Sequence, residues 1–176
     1  MMGLNPSEGG PVTPITYRVG ALGAMVDEYE RAMRELTQLV GPLSQVAYLQ
    51  VREADSTDEN SHTIQSIVNH VLQAGYAYVH YLREALGVPF EKPDYTVATP
   101  LDAVDELETL ASWTAGTFEG KWLMSYEDMV ALKFQVRWGP FYNLEQLLEH
   151  AIVHLLRHRR QVERFLTEAG FKPGHH

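Results

Sequence analysis

Between Leu144 and Leu166 apolar residues recur with a period near 3.6, and His150, His154 and His158 recur every four residues inside the same stretch. The apolar period specifies a helix. On a helix, residues four apart are neighbours with Cβ atoms about 5–6 Å apart, so the three imidazoles form a stripe in which each is turned about 40° from the last. Either adjacent pair, His150/His154 or His154/His158, can bite one metal ion. Two imidazoles alone hold a divalent ion weakly, so a third ligand has to come from an element packed against this helix. The best-placed candidate is His70, in the second turn of a helix opening Thr63-Ile64-Gln65-Ser66-Ile67-Val68-Asn69-His70.

The rest of the chain supplies the partners such a helix needs. From Ile15 to Val40 apolar residues recur at helical spacing, and Asp27/Arg31 and Glu30/Arg34 place an acid four residues before a base. Gly41-Pro42 ends this first helix. Arg52 to His62 is polar and acidic and reads as a solvated loop without function, because it lacks the turn glycine of a cation-binding loop. Thr63 caps a second helix that reaches Leu86 and is stopped by Gly87 and Pro89. On the side of His70 lie Ser66, Gln73, Ala74 and Ala77, mostly small, which predicts open volume beside that histidine. His80 is turned about 80° from it and belongs to the surface.

Glu91 to Ala98, bracketed by prolines, is an extended crossing. Thr99-Pro100 then starts a third helix to Thr117, expected to bury Leu101, Val104, Leu107, Leu110 and Thr114, with Trp113 packed in the core or at its boundary. Gly116 to Asn143 is too long to be structureless. Within it, Leu132 to Trp138 alternates strictly, which predicts a short strand, with Lys121 to Met124 as its hairpin partner. Such an excursion either covers one end of the site or serves as a packing flap. Asn143-x-x-Gln146 reads as a capping box for the last helix, which ends at Gly170.

A chain of 176 residues with 45% hydrophobic content makes one domain with a real core. Residues 1–14, rich in proline and glycine, form a flexible arm, 15–170 a single domain, and 171–176 a tail whose His175 and His176 are left out of the site. The net charge of −9 repels phosphate backbones, which excludes nucleic acid as a partner. There is no cysteine, so a metal must sit on nitrogen and oxygen ligands, and no thiolate of the chain can act as nucleophile. No apolar run approaches a membrane span and Met1 to Thr16 has no signal-peptide pattern, so a cytoplasmic protein without membrane contact is expected. The lone Glu-x-x-His string, Glu59 to His62, lies in the loop, which excludes a ferritin-like di-iron bundle.

The strings TIQSIVNH, opening one helix, and HLLRHRRQ, late in another, resemble the two motifs of the DinB/YfiT-like metalloenzyme superfamily, and the likeness runs from Ile15 to Leu166 in helix order and length. The resemblance implies an all-α four-helix bundle, here with the strand or hairpin excursion between its third and fourth helices. It further implies that His70, His154 and His158 bind a divalent metal ion. Gln161 falls on the family's glutamine after the ligand pair and would orient a ligand from behind. His150 matches no family ligand, Arg160 stands where a small residue is common, and His62 where many members have tryptophan.

Three neutral imidazoles leave an ion its full charge and an open position, as in catalytic sites. Zinc, nickel and iron(II) all accept such ligands. Arg157, about 60° round the helix from His154, is placed to steer an anionic substrate, whereas Arg159 points away. Similar proteins include S-transferases and isomerases dependent on a low-molecular-weight thiol, and others proposed as hydrolases. The implied function is therefore a metal-dependent enzyme acting on a small molecule, either as hydrolase or as thiol-dependent transferase. The alternative is a non-enzymatic, stress-associated metal-binding bundle. A homodimer is also expected from the resemblance.

Overall fold

The computed structural model describes residues 16–170, and in it each capping signal read above begins a helix. Helix α3 (Ile64–Ala85) starts at Thr63, whose hydroxyl accepts from the Ser66 amide at 2.9 Å while the Thr63 amide donates to the Ser66 hydroxyl at 3.0 Å. Thr99 and Asp102 do the same for α4 (Pro100–Gly116), and Asn143 and Gln146 for α6 (Leu144–Glu168). Each reciprocal cap satisfies two amides that would otherwise lack partners, and losing such a cap costs about 1 kcal/mol. Two short helices, α2 (Gln45–Leu49) and α5 (Tyr126–Ala131), start at Ser44 and Ser125, whose hydroxyls accept from the Ala47 and Asp128 amides without the reciprocal bond.

Helix α1 spans Gly20–Val40, shorter at its start than the expected Ile15. The chain enters it through Gly20 at φ +78°, where a side chain would be strained and a Cβ would also meet the Trp122 carbonyl oxygen at 2.9 Å. The ion pairs of α1 differ from those its spacing suggested. Arg18, just before the helix, binds both Asp27 (2.5 Å) and Glu30 (2.8 Å) and lies over the Trp122 ring at 5.1 Å. Arg31 turns instead to Glu28 and Glu35. A guanidinium from a neighbouring segment reaches two carboxylates at once, so it displaces the pairing within the helix.

Helices α1, α3, α4 and α6 form the bundle, with α1 packed on α6 and α4, and α3 packed on the same two. The ring order is therefore α1, α4, α3, α6, which makes neighbours of the two helices that carry the histidines. Leu22, Val26, Met33, Leu36, Leu72, Leu107, Leu148 and Val162 fill the centre. Gly75 allows α4 close to α3, since a Cβ there would fall 2.3 Å from Leu110 Cδ2. Leu101, expected in the core, is 68% exposed, and Ala103 is buried in its place. Leu101 lies six residues before Leu107 and so about 120° round the helix, off the core-facing side.

The strand expected over Leu132 to Trp138 is β1, Lys133–Gln135, but its partner is β2, Phe141–Asn143, and not Lys121 to Met124. The pairing is antiparallel, with Phe134 opposite Tyr142. Gly139 at φ +115° turns the chain, and the Gly139 amide bonds the Val136 carbonyl at 2.9 Å. The hairpin lies on α3, where Phe134 stacks on Tyr81 and the Arg137 amide donates to the Tyr81 hydroxyl at 2.8 Å. The expected arm, residues 1–14, and tail, 171–176, fall outside the described residues.

Candidate metal centre

His70 projects from the second turn of α3 toward α6, where His154 and His158 occupy successive turns. The three rings meet with centroids 5.0 Å (His70 to His154), 4.9 Å (His70 to His158) and 4.5 Å (His154 to His158) apart. His70 Nε2 lies 3.1 Å from His154 Nε2, which lies 3.2 Å from His158 Nε2. One nitrogen from each ring falls within 4.8 Å of the other two. Two nitrogens on a tetrahedral ion with bonds of about 2.0–2.1 Å stand roughly 3.3 Å apart, so the observed separations match ligands directed at one point.

The electrostatics agree. All three rings are partly buried, and burial lowers each below the ordinary histidine range; Asp58 opposes this at His70 and His158. For His154, burial together with its two partners, His150 and Arg157 pushes the pKa down to about 3. Neutral imidazoles have nitrogen lone pairs to offer, which is what a divalent cation requires. The Gln161 side-chain oxygen stands 3.2 Å from His158 Nδ1. Accepting that proton fixes the tautomer and leaves Nε2 facing the other two rings.

The remaining candidates separate cleanly. Arg157 is exposed, forms no ion pair among the described residues, and acts electrostatically on His150, His154 and His158. Arg159 points to the other side, paired with Glu35 of α1 and with Glu163. His150 is outside the cluster: its Nδ1 is 3.4 Å from the Tyr142 hydroxyl and its ring stacks on Trp138 at 5.8 Å. His80 is exposed beside Glu84, and His62 Nε2 bonds the Ser56 carbonyl at 2.9 Å, holding the preceding loop.

Of the four mostly small residues expected to leave room beside His70, Ser66 is tied into its cap, Gln73 is exposed, Ala74 packs on the core and Ala77 is half-buried. Two residues near the centre had been assigned no role from the sequence. Tyr78, pushed up to about 12 by burial, meets His154 and His150 edge-on at 5.8 and 5.6 Å. Asp58, in the loop read as having no function, brings its carboxylate within electrostatic range of His70 and His158. The available signal was that this loop runs directly into the helix carrying His70.

The family model described as "DinB family" matches residues 22–175. The chain belongs to the DinB family. Membership in this family and the histidine cluster together fit a metal-binding DinB protein. A comparison with curated proteins finds no match. Among the described residues of this DinB protein, no helix is long and apolar enough to cross a membrane.

Proposed function

We propose that this DinB protein is a metal-dependent enzyme that holds one divalent ion on His70, His154 and His158 and acts on a small organic molecule. The observation that carries the reading is the convergence of Nε2 atoms at 3.1 and 3.2 Å. A divalent ion held by three neutral ligands supplies Lewis acidity that lowers the pKa of a water or of an externally supplied thiol. The chain's own groups arrange the rest. Gln161 keeps the His158 proton on Nδ1, and Tyr78 limits the rotation of His154 by edge contact. The hairpin packs on the neighbouring His150 through Trp138 and Tyr142. Arg157 adds positive charge beside the site. A thiol has to come from outside, because the chain has no cysteine.

Metal content of protein purified without an affinity column tests the first step. Alanine at His70, His154 or His158 is expected to reduce bound metal sharply, whereas His80→Ala leaves it unchanged. Equal content in all these proteins would refute the site. Cobalt-loaded protein should then change its visible spectrum on addition of a small thiol, or turn over a substrate in a screen of esters, amides and electrophiles. Fully loaded protein that does neither, and in which chelation only lowers the melting temperature, would be a metal-binding bundle without enzymatic activity.

A further inference from the structure

The arginines of α6 differ in what they bind. Arg159 reaches Glu35 and Glu163, and Arg164 reaches Glu53 and Glu168. Arg157 and Arg160, both exposed, form no ion pair among the described residues. With 23 acidic residues against 14 basic ones, the chain is not short of carboxylates, so position is what leaves these two groups unpaired. At Arg157 the helix itself explains this: the residues one turn away are Val153, His154, Arg160 and Gln161, none of them acidic. Nor does the charge serve the helix dipole, which acts within the last turn, whereas α6 continues to Glu168.

Helical side chains lean over the turn before their own Cα, so Arg157 leans toward His154, three residues back, with Cβ atoms about 5–6 Å apart. Arg160 stands about 120° round the helix from His154 and leans over the turn of Arg157 instead. The electrostatics show the same reach. The Arg157 charge lowers His150, His154 and His158, while the Asp58 carboxylate, in the loop before α3, acts in the opposite sense on His70 and His158. The triad therefore has a positive flank on α6 and a negative one at the loop.

We propose that Arg157 holds the carboxylate of the small molecule that reacts at the triad, which makes the substrate class a compact organic carboxylate with a short spacer between its charged and reacting ends. The inference rests on the triad being the place of reaction. A guanidinium presents parallel N–H groups that match one carboxylate, and a single fork suits that group better than a phosphate, which collects donors from several sides. A bound divalent ion adds attraction for the same charge. Asp58 disfavours it on the loop side, so the carboxylate end is turned toward α6.

Mercaptopropionate, mercaptoethanol and cysteamine present the same thiol with a negative, neutral and positive far end. Each is titrated into the cobalt-loaded full chain, and the sulfur-to-cobalt absorption in the near ultraviolet gives its affinity. The visible bands of the ion show that the centre is intact in each variant. Arg157→Gln, at an exposed position, is expected to weaken mercaptopropionate about fivefold, to leave mercaptoethanol unchanged and to strengthen cysteamine. Arg160→Gln removes the same charge from the same helix and should change none of the three by more than about twofold. Mercaptopropionate binding that ignores Arg157→Gln, an equal loss for all three thiols, or an equal effect of Arg160→Gln would overturn the proposal. So would cobalt-loaded protein whose spectrum no thiol changes. Protein that takes up no cobalt would defeat the metal reading itself, and this inference with it.

Discussion

Acidification of the metal-free protein should destabilise it while carboxylates are still ionised. The perturbation is a change from about pH 7.5 to about pH 5 in chelator-treated protein, a window in which histidine titrates and ordinary carboxylates do not. Burial lowers His70, His154 and His158, with His154 at about 3. The unfolded chain, with histidines near 6.5, therefore binds more protons than the folded chain below that value. Stability is fully present above about pH 6.5 and is lost as the pH falls toward the folded-state values. Two charged rings at the observed 4.5 to 5.0 Å separations would repel by about 3.5 kcal/mol at an effective dielectric near 20. Three groups withholding their protons give at most about 4 kcal/mol per pH unit, and their partial exposure reduces this to roughly 2. Against a total of about 5–15 kcal/mol, that is readily measured as a falling urea midpoint. His154→Gln should flatten the dependence. A midpoint that stays level between these pH values, or a His154→Gln protein with the full slope, would refute the reasoning.

Arg18→Met should lower stability by about 1–3 kcal/mol, because it leaves Asp27 and Glu30 without their shared cation; thermal denaturation measures this, and Trp122 emission should shift with loss of the stacked guanidinium. Gly75→Ala places a Cβ 2.3 Å from Leu110 Cδ2, an overpacking cost of about 1–3 kcal/mol that exceeds the helix-propensity gain of about 1; a raised melting temperature would mean that Leu110 has room to move. Light scattering at micromolar concentration is expected to give the mass of a homodimer, as the family resemblance implies, and a monomer throughout would refute that expectation.

The helix starts and the histidine cluster were legible because they depend on short spacings. Thr63 with Ser66, Thr99 with Asp102 and Asn143 with Gln146 are local signals that tertiary packing did not have to supply. The pairing of His154 with His158 needed one turn of helix, and the place of His70 needed only helix order. What failed was decided by segments far apart or by direction round a helix. β1 pairs with β2 because Gly139 turns the chain back at positive φ, a conformation that alternation in the first strand does not reveal. Arg18 takes the carboxylates assigned to Arg31 and Arg34 because the approach to α1 folds over it. Asp58 reaches the triad through the course of a loop that has no period to read. The helices α2 and α5, of five and six residues, are too short to show one.

His70 and His154 are 84 positions apart. An ion held by both would tie α3 to α6 across the segment containing α4, α5 and the hairpin. Because such an ion leaves when the chain unfolds, it would stabilise the fold by mass action, about 4 kcal/mol where free ion exceeds its dissociation constant a thousandfold. The ion would thus set the lifetime of the fold as well as the chemistry at its edge. Newly made chains would unfold and be degraded faster until loaded, so the supply of metal would govern how much of this protein persists.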